Sequence, residues 1–144
     1  MNEKVKWAFV LDKDEFVRLS LNKILKKYGF NVEEIEDLSQ LEKRKKDLER
    51  GMILADVEID VLEKGFPLPR KQNNRFILMT PLVTDDLIIR LKKMGIHRII
   101  KKPVDPRLLR KVIREISFPD EVKTSSFGKK GEGSHFIQKG GEVT

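Results

Sequence analysis

Four polar side chains offer chemistry in this sequence: Asp12, Asp56, Thr80 and Lys102. Each ends or follows a short strand-like segment: Asp12 after residues 5–11, Asp56 after 52–55, Thr80 at the end of 76–80, and Lys102 after 98–101. Two carboxylates can bind a hard cation such as Mg²⁺, or one of them can attack a phosphorus centre. A hydroxyl and an ammonium can hold the oxygens of a phosphoryl group. A single aspartate after a strand is ordinarily a turn or cap residue. Four such groups at four strand ends make the functional reading the stronger one.

The elements that must position these groups alternate strand and helix. The apolar run at 5–11 reads as a buried strand, and helical spacing follows from Asp14 through Val17, Leu21, Ile24, Leu25 and Tyr28 to a closing Gly29. Residues 30–35 form a second strand. Ser39 with Glu42 predicts a capping box opening a polar helix to Arg50, ended by Gly51. Residues 52–55 and 76–79 are the third and fourth strands. Thr84 caps a helix through Met94, 98–101 is a fifth strand, and Asp105–Pro106 opens a last helix with Leu108, Leu109, Val112, Ile113 and Ile116 on its apolar face. The alternation implies a doubly wound α/β domain with a five-stranded parallel sheet, whose ligand site lies beyond the carboxyl ends of the strands. Between the third and fourth strands, Gly65, Pro67, Pro69, Asn73 and Asn74 leave a shortened or missing third helix.

A length of 144 residues fits one domain with a real hydrophobic core. The domain is expected over 1–117, followed by a Gly/Ser/Lys-rich flexible tail over 118–144. In that tail, Ser125, Ser126 and Phe127 are loosely echoed at Ser134, His135 and Phe136. With no cysteine there is no disulfide framework or thiolate chemistry. No uncharged run approaches the roughly 20 residues of a membrane helix, and the first residues lack a signal-peptide core, so a soluble cytoplasmic protein is expected.

The strand-end stretches resemble the receiver domain of bacterial response regulators. They are FVLDKDEFVR at 9–18, ILADV at 53–57, FILMT at 76–80 and GIHRIIKKPVDP at 95–106. The resemblance covers the body of the chain and leaves the tail aside. It implies a flavodoxin-like receiver fold and an aspartyl-phosphate switch in phosphorelay (two-component) signalling. Asp56 would accept a phosphoryl group from a histidine kinase, a phosphotransfer protein or a small phosphodonor. Lys102 and Thr80 would contact that group, and Asp12 and Asp56 would hold Mg²⁺.

The sequence departs from the family where two acids normally follow the first strand, for here Asp12 is followed by Lys13. That ammonium weakens the expected Mg²⁺ site, whose further acid would be Glu58 or Asp14. Ile99 stands where the family carries a switch aromatic, Asp60 where it has a proline, and Pro81 follows Thr80.

Residues 90–114 hold ten basic side chains against Asp105 alone, in a chain whose net charge is +7. Arg90, Lys93, Arg98, Lys101, Arg107, Arg110, Lys111 and Arg114 form the candidate partner-binding face. An acidic protein is the favoured partner because complementary charge selects and speeds association. Nucleic-acid backbone is the lesser candidate, since the stretch has no aromatic side chain for base stacking. A two-fold homodimer through this face would oppose like charges, so a monomer is expected. Three readings stand: an atypical receiver signalling by protein contact, a pseudo-receiver module independent of phosphorylation, and a basic nucleic-acid-binding domain. No histidine base or glycine-rich phosphate loop accompanies the strand ends, so no enzyme activity beyond phospho-acceptance is expected.

Overall fold

In a computed structural model of the chain, the described residues are 7–48, 51–65 and 75–117. The order of elements is β1 (Trp7–Leu11), α1 (Glu15–Lys27), β2 (Asn31–Ile35), α2 (Leu38–Glu42), α3 (Lys45–Leu48), β3 (Gly51–Ala55), α4 (Ile59–Glu63), β4 (Phe76–Thr80), α5 (Asp85–Lys93), β5 (Arg98–Lys101) and α6 (Pro106–Ser117). The tail over 118–144, with its phenylalanine echo, lies outside the described residues.

The five strands form one sheet of order β2-β1-β3-β4-β5, and all four pairings are parallel. Strand alternation divides the core between the two faces of the sheet. Ala8, Val10, Met52, Leu54, Ile77 and Met79 meet Leu21 and Leu25 of α1 and Leu109, Val112, Ile113 and Ile116 of α6. Phe9, Leu11, Ile53, Ala55, Phe76 and Leu78 meet Leu41, Leu48, Leu62 and Leu91 from α2 to α5. Every residue of the central β3 is buried, whereas β2 and β5 at the edges are mostly half-buried. The chain leaves β1 toward β2 on one side and reaches β3 on the other. The carboxyl ends of β1 and β3 are therefore the switch point of this topology, where sheets of this kind bind ligands.

Local chemistry explains most element ends. The Asp14 carboxylate accepts the Phe16 N–H and starts α1, and Gly29 at φ +88° reverses the chain after it. Thr84 Oγ1 accepts the Leu87 N–H at 3.1 Å, and Asp105 Oδ1 accepts the Arg107 N–H at 2.9 Å. The shortened third helix is α4, a five-residue segment. Residues 66–74, where the expected prolines lie, are outside the described residues.

The second helix differs from expectation. Asp37, not Ser39, is its N-cap: Asp37 Oδ1 accepts the Ser39 N–H at 3.1 Å, and Gln40 Oε1 accepts the N–H groups of Glu36 and Asp37 at 2.9 and 3.1 Å. The box thus sits two residues earlier than Ser39 and Glu42 suggest. The helix also breaks at Lys43 and Arg44, giving α2 and α3. At the break Arg44 is committed elsewhere, lying over the Trp7 ring at 4.7 Å and pairing with Glu33 and Asp47.

Candidate functional site

Asp12 and Asp56 leave adjacent strands. The Asp12 N–H bonds the Ile35 carbonyl at 3.1 Å, and the Asp56 N–H bonds the Leu11 carbonyl at 2.9 Å, so both residues continue the sheet ladder by one position. Lys102 arrives from β5 in the same way, its N–H donating to the Thr80 carbonyl at 2.8 Å across a strand pair. The Lys102–Pro103 peptide bond is cis. These backbone positions bring one ammonium between two carboxylates: Lys102 Nζ lies 2.8 Å from Asp12 Oδ2 and 2.5 Å from Asp56 Oδ2.

The three groups differ in exposure. The Asp12 side chain is 3% exposed and that of Asp56 33%, which leaves the second carboxylate open to a reactant. Burial pulls the Lys102 ammonium toward deprotonation, but its hydrogen bonds to Asp12 and Asp56 outweigh that and hold its pKa above the ordinary lysine value. Lys102 is therefore a fixed cation across the neutral range.

Every polar atom of Asp12 is engaged. Besides the Ile35 and Lys102 bonds, its Oδ1 accepts the Asp14 N–H at 2.8 Å, and its carbonyl accepts Arg18 Nη1 at 2.7 Å. Arg18 is the feature that sequence reasoning missed. It is only 7% exposed and also pairs with Glu34 and Glu36 at 3.3 Å each. A guanidinium inside the apolar face of α1 breaks the helical hydrophobic pattern, and only the acids at 34 and 36, just beyond the middle of β2, signal its partners. Asp56 Oδ1, by contrast, carries no hydrogen bond among the described residues.

Thr80 stands at the same sheet end, but its hydroxyl faces its own loop. Oγ1 donates to the Leu82 carbonyl at 3.1 Å and accepts the Leu82 N–H at 3.3 Å. The structure thus brings together Asp12, Asp56 and Lys102 and leaves the Thr80 hydroxyl turned to Leu82.

Mg²⁺ would draw on the carboxylates at this end of the sheet. No group of three metal-ligating side chains occurs among the described residues, so Glu58, exposed at the N-cap of α4, does not complete a set with Asp12 and Asp56. The Lys102 ammonium already bridges the two carboxylates. Lys13, next to Asp12 in the chain, is exposed. Mg²⁺ is commonly held by one or two carboxylates with water and phosphate oxygens completing its octahedron, so Asp12 and Asp56 are the residues that would hold it.

The candidate partner face is narrower than the linear charge count implies. Arg90 is turned away from it: its guanidinium holds Glu63 at 2.5 Å, Asp60 at 2.8 Å and Asp86 at 3.4 Å, tying α5 to α4. Arg98 is half-buried, 3.8 Å from Glu115. Lys93, Lys101, Arg107, Arg110, Lys111 and Arg114 remain exposed. On α6 the basic stripe lies opposite Leu109, Val112, Ile113 and Ile116. Among the described residues no helix is long and apolar enough to cross a membrane.

Residues 8–114 match the profile described as the response regulator receiver domain. Compared by sequence with curated proteins, the chain matches none. Among solved structures, the signal receiver domain of an HD domain-containing protein from Pseudomonas fluorescens Pf-5 is similar over 90% of this chain and 96% of its own, at 16% identity and a TM-score of 0.65. The chemotaxis response regulator CheY4 of Vibrio cholerae is similar over 78% and 98%, at 15% identity and a TM-score of 0.63. The signal receiver domain of a modulated diguanylate cyclase from Desulfovibrio desulfuricans G20 gives 83% and 98%, at 16% identity and 0.59. At these identities the likeness is one of fold.

Proposed function

We propose, for a chain that belongs to the response regulator receiver domain family, that Asp56 is a phospho-acceptor and that its phosphorylation is signalled by protein contact through the basic face. The observation that carries this reading is the Asp12–Lys102–Asp56 arrangement, with Asp56 Oδ1 open and Asp56 one-third exposed.

The step is a displacement at phosphorus. Asp56 Oδ1 forms the new P–O bond while the donor's bond to phosphorus breaks, P–N in a phosphohistidine or P–O in acetyl phosphate. The leaving group takes the electron pair. Lys102 then meets the phosphoryl oxygens as a fixed charge, and the Thr80 hydroxyl leaves Leu82 to contact the same group. The phosphoryl source would be a histidine kinase or phosphotransfer protein. An acidic protein is the output partner that suits Lys93, Lys101, Arg107, Arg110, Lys111 and Arg114.

A phosphoryl-sized gain in intact mass after incubation with acetyl phosphate, absent in Asp56→Ala, is the expected result. No gain in the unaltered protein would remove the acceptor role. A second reading, a pseudo-receiver that binds its partner without phosphorylation, is favoured by one observation: Lys102 pairs with one oxygen of each carboxylate from within the chain itself. It requires that Asp56→Ala bind the partner as tightly as the unaltered chain.

A further inference from the structure

We infer that Arg18 is a positioning residue of the acceptor site: by holding the Asp12 carbonyl from α1 it fixes the direction of the Asp12 carboxylate, and with it the Asp12–Lys102–Asp56 arrangement. The inference rests on Asp56 being the acceptor and on Asp12 and Asp56 being the carboxylates that would hold Mg²⁺.

Asp12 stands where β1 ends, so strand pairing holds it from one side only, its N–H donating to the Ile35 carbonyl at 3.1 Å. On the other side its carbonyl accepts Arg18 Nη1 at 2.7 Å, a buried, charge-assisted bond. The peptide so held, between Asp12 and Lys13, leads the chain to the Asp14 N–H, which closes onto Asp12 Oδ1 at 2.8 Å. With Oδ1 turned to that N–H, Oδ2 faces Lys102 Nζ at 2.8 Å. Rotating the 12–13 peptide would carry the Asp14 N–H away and leave the carboxylate without its backbone anchor.

Arg18 is itself fixed. It is 7% exposed, and its Nε and Nη2 meet Glu34 and Glu36 at 3.3 Å each. Those two pairs are enough to fasten α1 to β2 and the residue after it. The third arm makes the shortest of the three bonds, and it is the arm directed at the site. A residue that orients a ligating side chain from behind typically changes metal affinity or activity by about 10- to 100-fold when it is replaced.

The test compares Arg18→Met, Arg18→Lys and Asn22→Ala with the unaltered protein, at a temperature where circular dichroism shows each folded. Asn22 is the control: it also ties α1 to β2, but its bond, 2.8 Å long, goes to Glu34 and not to Asp12. Two readouts are taken across a Mg²⁺ series. One is the rise in melting temperature, which gives the half-saturating Mg²⁺ concentration; the other is the rate of mass gain from acetyl phosphate. For Arg18→Met the half-saturating concentration should be about tenfold higher, and labelling at subsaturating Mg²⁺ about tenfold slower. Arg18→Lys, which keeps the charge and a donor, should recover part of both losses. Asn22→Ala should melt earlier yet stay within about twofold of the unaltered protein on both readouts. Should Arg18→Met fail to fold, Arg18→Lys against Asn22→Ala carries the comparison. Arg18 variants that bind Mg²⁺ and take label as well as Asn22→Ala overturn the positioning role and leave the acceptor standing. No label on an unaltered protein that Mg²⁺ still stabilises overturns the acceptor reading, and Arg18 is then judged on Mg²⁺ affinity; neither label nor Mg²⁺ stabilisation overturns both.

Discussion

Lys102 and the α6 stripe are both basic features of one stretch of sequence, yet they occupy opposite electrostatic situations. Lys102 is held between Asp12 and Asp56, and Arg90 nearby is held among Asp60, Glu63 and Asp86. Arg110, Lys111 and Arg114 are exposed and form no ion pair within 4 Å among the described residues, although Lys111 acts on Glu115 at longer range. The committed cations join elements to one another; the uncommitted ones are left to meet something outside the chain. A charge total over residues 90–114 merges two populations that the fold separates.

Breaking the committed side should cost the most. Lys102→Met leaves two facing carboxylates, one of them buried. It should destabilise the fold by about 2 kcal/mol, below the 3–5 of a fully buried pair because Asp56 is partly solvated, as read from urea denaturation. Arg18→Ala removes a hydrogen bond to the Asp12 carbonyl and leaves Glu34 with Asn22 Nδ2, at 2.8 Å, as its partner. A loss of about 2 kcal/mol is expected, with Arg18→Lys intermediate, in the same measurement. Arg90→Ala should cost less than either, because its carboxylate partners are largely exposed, and the loss should shrink in high salt.

The uncommitted side should answer differently. Neutralising Arg110, Lys111 and Arg114 together should leave the denaturation midpoint nearly unchanged while slowing association with an acidic partner and flattening its salt dependence. If those variants instead unfold readily, the stripe is structural and the contrast fails.

The smallest effect concerns Glu115. Burial raises its pKa above the ordinary carboxyl value, with Arg98 and Lys111 pulling it back. A raised folded pKa means that its stabilising contribution is present in full below the unfolded value and is lost as pH rises through the folded one. Stability should therefore fall slightly over that mildly acidic window, and Glu115→Gln should remove this component, as followed by melts against pH.

Much of the architecture was legible in the sequence. Strand and helix periods, the caps at Asp14, Thr84 and Asp105, and the reversal at Gly29 depend on residues a few positions apart. So did the placing of Asp12, Asp56, Thr80 and Lys102 at strand ends. The second helix was read less well, since Asp37 and Ser39 are both good caps and the choice fell to Gln40, whose amide oxygen can take two N–H groups only from the Asp37 register.

What the sequence by itself determined was the set of elements and the polar group ending each strand, because backbone period and capping are short-range. What only the tertiary structure decided was which charges meet. Lys102 finds Asp12 and Asp56 from 90 and 46 residues away, Arg90 finds Asp60 and Glu63 from 30 and 27, and Arg18 reaches Glu34 across 16. Ion pairing acts over a few ångströms of space and is indifferent to separation along the chain, so the packing of the helices on the sheet had to settle it.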